Sequence, residues 1–280
     1  MNTMVSAVHP DQSPGRVSTR DGTSLVYTLD VQGTNRPRVA LVHSLAMNRS
    51  FWEPVAALLR PHADVLTFDC RGHGDSDKPA GPYTFDLFAD DLADLLTHVG
   101  WDSALIAGAS MGGTVSLAFA AKYGKRTEAL GLIDTTAWYG ADAPEKWAER
   151  AVTAQHAGLG ELVGFQKTRW FGDAFREQNP ALVQAAVDTF LRNDVAAYAA
   201  TCGMLGAADL RAALPGLHMP TAVMVGEEDY ATPVPMAQAM HAAIAGSDLQ
   251  VIQGARHLTP LECPHIVADG LIQLIGKVAR

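Results

Sequence analysis

Between Leu105 and Thr114 the chain reads LIAGASMGGT, an apolar run that closes on one hydroxyl, Ser110, with glycines at 108, 112 and 113. Gly108-Ala109-Ser110-Met111-Gly112 has the Gly-x-Ser-x-Gly spacing of a nucleophile elbow, where a strand turns sharply into a helix. Such a turn forces the serine into a strained backbone conformation and lifts its Oγ clear of the strand. Small residues two positions to either side let strand and helix approach without a Cβ clash. The helix start behind the serine offers free N–H groups and partial positive charge to a developing oxyanion. The plain alternative is a glycine-rich turn whose serine merely caps a helix. A base and an acid elsewhere in the chain decide between the two.

A serine hydroxyl is a weak nucleophile and needs a neighbouring base, and an imidazole titrating near neutrality suits the task. Of the ten histidines, His257 in IQGARHLTPLE follows the last strand-like run, where the strand ends of a parallel sheet converge. His62, His98, His156, His218, His241 and His265 read as helix or surface residues. Asp229 in VMVGEEDYATP follows the preceding strand and would orient the imidazole and stabilise its charged form. Glu227 and Glu228 compete by proximity, and Asp134, ending the strand after Ser110, is a rival acid. Asp229 is preferred because it gives the order serine, acid, histidine along the chain with the acid on the penultimate strand.

These residues need a sheet to bring them together, and the chain supplies one. RVSTRDGTSLVYTLD has two alternating runs around Asp21-Gly22, a hairpin signal. RVALVH, DVLTFD, SALIAGA, TEALGLIDT, TAVMVGEED and LQVIQGA are short apolar strand candidates. Between them lie helical patterns: Phe51, Trp52, Val55, Leu58 and Leu59 share a face, as do Phe88, Leu92, Leu95, Leu96 and Val99. Strand–helix alternation implies a parallel sheet covered on both faces. From Trp138 to about Leu214 the rhythm breaks into an Ala- and Gln-rich helical insertion holding three of the five tryptophans.

Composition sets the outer bounds. The 280 residues suffice for one large domain or a domain with an insertion. With 21 Lys and Arg against 30 Asp and Glu, and no basic cluster, nucleic acid and anionic membrane are not expected partners. Three scattered cysteines, Cys70, Cys202 and Cys263, suit neither a disulfide framework nor a metal cluster and point to the cytoplasm. The polar opening segment has no basic stretch followed by an apolar run, so no signal peptide is expected.

Together, VHSLAMNRSFW, DCRGHGDSDKP, GASMGG, GEEDYATP and GARHLTPLECP make the chain, from about Val17 onward, resemble the α/β-hydrolase family. The resemblance implies an α/β fold: a mostly parallel eight-stranded sheet with helices on both faces and a helical cap insertion. The core would comprise residues 1–136 and 216–280, and the cap residues 137–215. It also implies Ser110 as nucleophile, Asp229 as acid and His257 as base, with the N–H groups of Leu45 and Met111 forming an oxyanion hole and no cofactor or metal. His43 and the Arg71–Gly74 stretch would be architectural. A serine at the elbow sets the chain apart from relatives with aspartate or cysteine there, such as haloalkane dehalogenases and dienelactone hydrolases. One departure stands out: His43-Ser44-Leu45-Ala46 replaces the His-Gly-x-Gly of many relatives, which bears on the backbone freedom of that loop.

Within the family, the stretch from Glu145 through Asp229 and the HSLAMNRSFW loop look like those of 3-oxoadipate enol-lactonases. That likeness implies opening of a small lactone in aromatic degradation, with a lactone or ester as the partner and a homodimer as one assembly it allows. A substrate of this kind carries a free carboxylate, which a basic cap residue would hold. Arg150, Lys167, Arg169, Arg176 and Arg192 are available, with Arg169, beside Trp170, preferred and solvated helix-face charges the plain alternative; Trp138, at the cap entrance, would line the pocket or pack in the core. A broader carboxylesterase or another lactonase, a carbon–carbon bond hydrolase and a small-molecule receptor are the rival readings.

Overall fold

The computed structural model describes residues 14–278, and the polar opening segment lies outside the described residues. Asp21-Gly22 makes the turn between β1 (Gly15–Ser18) and β2 (Ser24–Asp30), with Gly22 at φ 87°. Six further strands follow: β3 (Arg38–Val42), β4 (Asp64–Phe68), β5 (Ala104–Ala109), β6 (Thr127–Ile133), β7 (Thr221–Gly226) and β8 (Asp248–Ile252). They form one eight-stranded sheet in the order β1-β2-β4-β3-β5-β6-β7-β8. The hairpin joins β4 antiparallel, and every pairing from β4 to β8 is parallel. Strands β4, β5 and β7 are buried along their whole length, as near-continuous apolar runs require. Strand β8, at the edge, alternates between exposed and half-buried positions until Ile252.

The crossovers are α1 (Glu53–Leu59), α2 (Phe85–His98) and α3 (Met111–Lys122). Between β6 and β7 come α4 (Ala143–Ala157), α5 (Val163–Trp170), α6 (Asp173–Gln178), α7 (Pro180–Leu191) and α8 (Val195–Gly206). Three more, α9 (Val234–Ala243), α10 (Thr259–Glu262) and α11 (Pro264–Val278), complete the chain. Strand periodicity sorts the helices onto two faces. Leu130 and Leu132 of β6 pack in one cluster with Leu117 of α3 and Met240 of α9. Gly131, between them, faces the other way, where a Cβ would meet Leu271 of α11 at 2.8 Å.

Helices α4 to α8 sit over the carboxyl ends of the strands. Asn193 Nδ2 donates to the Ala46 carbonyl after β3 at 2.8 Å, and Trp170 O accepts from Leu258 N–H beyond β8 at 3.0 Å. Among the described residues no helix is long and apolar enough to cross a membrane.

Candidate active site

Ser110 occupies the one-residue junction between β5 and α3 at φ 54°, ψ −120°, a left-handed value that L-residues avoid. Packing imposes this strain. A Cβ at Gly108 would lie 2.0 Å from the Gly112 carbonyl oxygen, and one at Gly112 would lie 2.1 Å from that of Val42. Strand β5, helix α3 and strand β3 are thus in backbone contact, and the serine side chain leaves the turn between them. Hydrogen bonds from Ser110 N–H to Ile133 O (2.9 Å) and from Thr135 Oγ1 to Ser110 O (2.7 Å) fix both sides of the peptide.

The side chain of Ser110 points at His257. Its Oγ lies 2.9 Å from His257 Nε2, and His257 Nδ1 lies 2.8 Å from Asp229 Oδ2. Asp229 follows β7 and is buried; its Oδ1 accepts from the N–H groups of Ala231 (2.7 Å) and Thr232 (2.9 Å), and its Oδ2 from Thr232 Oγ1 (2.8 Å). Burial favours the neutral acid, but the charge and hydrogen bond of His257 and the Thr232 donors outweigh it, holding the carboxyl below its usual range. An ionised carboxylate only accepts, so the Nδ1 proton belongs to the histidine and Nε2 is left free to accept from Ser110. Burial alone would lower the proton affinity of His257; Asp229, with Asp134 behind it, raises it above the ordinary imidazole value.

Asp134, the rival acid, is turned elsewhere. It follows β6 at φ 46°, fully buried, and accepts from Gly226 N–H (3.1 Å), Thr259 N–H (3.0 Å) and Thr259 Oγ1 (2.6 Å). Burial and the neighbouring charge of Asp229 push its pKa up, while His257 and the Thr259 donors oppose that rise. It ties the end of β7 to the loop after His257. Of the other competitors, Glu227 accepts from Gly254 N–H and Glu228 from the Arg256 guanidinium.

The loop after β3 starts against the elbow, where a Cβ at Gly112 would meet the Val42 and His43 carbonyl oxygens, and runs on to Leu45. Among the described residues no hydrogen-bond partner is found for the N–H of Leu45 or of Met111, the first residue of α3. Ala46, in place of a glycine, takes φ 58°. His43 accepts Cys70 N–H on Nε2 (3.0 Å) and donates from Nδ1 to Ser44 O (2.8 Å), joining this loop to the one after β4. Burial lowers its pKa to about 4, so it is neutral, as is His73, whose ring meets it edge-on at 5.1 Å.

The helices above supply arginines. Arg169 Nη1 donates to Tyr230 O at 2.9 Å and its guanidinium lies 4.3 Å from the Phe165 ring; no carboxylate of the described residues pairs with it, and the charges of Asp229 and Arg150 both act on it. Trp138 bridges Asp209 by its backbone, and the Arg211 guanidinium lies 3.9 Å over its ring. Arg150 on α4 is its neighbour at the Phe165 ring. Half-buried, it packs against Trp147 (4.8 Å) and Phe165 (5.4 Å), and its one hydrogen bond is a 3.5 Å contact to Gln166 Oε1. No carboxylate of the described residues pairs with it, and its charge opposes protonation of His257, Tyr139 and Tyr198. Near it the Tyr198 hydroxyl is buried, with no hydrogen-bond partner found among the described residues. The Trp147-x-x-Arg150 spacing, one helical turn on α4, was the available signal for Arg150, as Phe165-x-x-x-Arg169 is for Arg169.

Residues 37–264 match the model of a family described as alpha/beta hydrolase fold. The chain is a member of that family. This α/β hydrolase is 31% identical over 230 residues to 3-oxoadipate enol-lactonase 2 of Acinetobacter baylyi, covering 82% of this chain and 85% of that one. It is 29% identical to that organism's 3-oxoadipate enol-lactonase 1, covering 89% and 91%. In structure it is similar to the enol-lactonase of Burkholderia xenovorans (TM-score 0.86, 32% identity, 95% and 99% covered). It is equally similar to a thermophilic esterase of Thermogutta terrifontis (TM-score 0.89, 29% identity, 96% and 100% covered). The α/β hydrolase is an ester or lactone hydrolase.

Proposed function

We propose that this hydrolase opens a small lactone bearing a free carboxylate, with 3-oxoadipate enol-lactone as the leading substrate, in the cytoplasmic breakdown of aromatic compounds. The observation that carries the substrate class is Arg150, a half-buried cation without an anionic partner among the described residues, close enough to act on His257. A substrate carboxylate would complete it with a charge-assisted pair. The enol-lactonase relatives support the particular lactone.

In the mechanism we infer, His257 Nε2 takes the Ser110 proton as Oγ attacks the lactone carbonyl. Asp229 holds the Nδ1–H tautomer and stabilises the imidazolium that forms. The N–H groups of Leu45 and Met111 receive the oxyanion, each such donor lowering the barrier by about 3 kcal/mol. Collapse opens the ring to an acyl-serine and an enol leaving group, which takes its proton from His257 and ketonises. Water deprotonated by His257 then releases the product and restores Ser110.

The test is steady-state hydrolysis of 3-oxoadipate enol-lactone beside p-nitrophenyl acetate, for the wild type and Ser110→Ala. Turnover of the lactone that far exceeds the acetate and disappears with Ser110 is expected. Serine-dependent turnover of the acetate alone would replace the lactone by a broader ester specificity. Turnover of neither would direct attention to carbon–carbon bond hydrolysis.

A further inference from the structure

Helix α5 ends without a local cap. Phe171, which follows it, is extended at φ −136°, ψ 144°, so no glycine turn folds back to take the last carbonyls. Those carbonyls are taken by three consecutive residues of the histidine loop instead. Arg256 Nη1 lies 2.8 Å from Thr168 O and 3.1 Å from Phe171 O. His257 N–H donates to Arg169 O at 3.3 Å, and Leu258 N–H to Trp170 O at 3.0 Å.

Arg256 does more than close a helix. The same Nη1 reaches Asp173 Oδ1 at 2.9 Å, at the start of α6, and shares its two hydrogens among the three acceptors. Its Nε reaches Glu228 Oε2 at 3.3 Å, and its guanidinium lies 5.3 Å from the Tyr230 ring. Glu228 and Tyr230 are the two chain neighbours of Asp229. Tyr230 O in turn receives Arg169 Nη1 at 2.9 Å, and Glu262 binds both Arg256 N–H and Gly172 N–H at 2.8 Å. One side chain therefore touches the segment 168–173, a neighbour on each side of the acid, and by its own backbone adjoins the base. A cation at a helix C-terminus is favourable on dipole grounds alone, but that would not require contact with the acid loop.

We propose that Arg256 is a positioning residue that couples the docking of the α5–α6 segment to the placement of His257 between Ser110 and Asp229. The proposal rests on the reading of Ser110, His257 and Asp229 as the reacting set. Reaction rates are steep in such placement, a displacement of about 1 Å costing on the order of 10²-fold.

The experiment measures the rate at which a fluorophosphonate labels Ser110, across pH, together with the thermal midpoint. It compares the wild type with Arg256→Ala and Arg256→Lys. Labelling in Arg256→Ala is expected to slow by on the order of 10²-fold. Millimolar guanidinium is expected to restore part of that rate without raising the midpoint, since the added ion refills the vacated fork. Arg256→Lys should fall between, because an ammonium meets fewer of the acceptors at once. The low-pH limb of Arg256→Ala should move down as the pairing of His257 with Asp229 loosens. Labelling of Arg256→Ala at the wild-type rate with a lowered midpoint would overturn the proposal, as would a rate that guanidinium leaves unchanged. If Arg256→Ala does not fold, Arg256→Lys and Glu228→Gln decide, and wild-type rates in both overturn it. Ser110→Ala and His257→Ala serve as controls: rapid labelling of His257→Ala would instead sink the reading on which the proposal rests.

Discussion

Two regions of the molecule meet at Ser110 and are built on different principles. On the sheet side, positions follow from backbone contact: no side chain fits at 108 or 112, and the hydroxyl at 110 stands where two strands and a helix close together. On the helical side, α4 to α8 contribute side chains: the Arg150 guanidinium between two aromatic rings, the Tyr198 hydroxyl, and the Asn193 amide on the loop after β3. Backbone placement suits a reaction that must be held to fractions of an ångström, whereas side-chain placement suits the choice of substrate. The difference predicts that damage to the sheet side abolishes turnover and that damage to the helical side redirects it.

The largest effects test the first half. Ser110→Ala is expected to lower kcat/KM by about 10⁴-fold or more, and Asp229→Asn, which leaves the imidazole in the wrong tautomer, by about 10⁴-fold. Asp134→Asn separates the two buried carboxylates. It makes no hydrogen bond to His257, so most of the rate should remain, while an amide facing N–H donors costs about 1–3 kcal/mol of stability, read by urea unfolding. A loss of rate in Asp134→Asn equal to that in Asp229→Asn would erase the distinction drawn between them.

Arg150→Ala tests the second half. Removing a charge-assisted partner of the substrate should lower kcat/KM on the anionic lactone by about 10- to 100-fold, chiefly through KM, and far less on uncharged p-nitrophenyl acetate. The same variant reaches across to the sheet side through pH. His257 works as a base only when neutral, and its proton affinity is raised, so the rate should fall as the pH drops through a value above the ordinary imidazole range. The charge of Arg150 opposes that protonation, so Arg150→Ala should shift the limb to higher pH, whereas Asp229→Asn should shift it lower. A limb that stays in place would mean the guanidinium does not share the interior of His257.

Legibility in the sequence divides along the same line. The strands announce themselves because both-face burial needs continuous apolar runs, and the elbow because steric exclusion leaves a glycine spacing. The side chains of Ser110, Asp229 and His257, picked from chain order, stand in hydrogen-bond contact. In the helical segment, periodicity assigns a residue to a face but not to a neighbour. Trp138, open to either the pocket or the core, lies under Arg211; Arg169 and Arg150 both lack a carboxylate partner among the described residues, and periodicity does not choose between them. Those outcomes depend on how α4, α5 and the loops meet, which no local pattern encodes. The capping of α5 by the histidine loop is invisible for the same reason, since its partners are more than eighty positions apart.

The smallest expected effect probes slack within the sheet side. Gly108 in β5 and Ala46 in the loop after β3 flank the elbow region, yet a Cβ at 108 would lie 2.0 Å from a carbonyl oxygen while the Ala46 methyl is accommodated, fully buried, at φ 58°. Left-handed backbone costs an L-residue about 1–2 kcal/mol. Against this, glycine at 46 would forfeit about 0.8 kcal/mol of methyl burial and about 0.4–1 kcal/mol to its wider unfolded ensemble. The three terms nearly cancel, so Ala46→Gly should change stability by about 0.5 kcal/mol or less. A large gain in the urea midpoint would show that the alanine is retained at a cost, and the N–H of Leu45 would be the group to examine for what that strain holds in place. A shift within the expected range would instead show that glycine is demanded near Ser110 by contact rather than by dihedral angle, and that the loop after β3 tolerates its replacement for that reason.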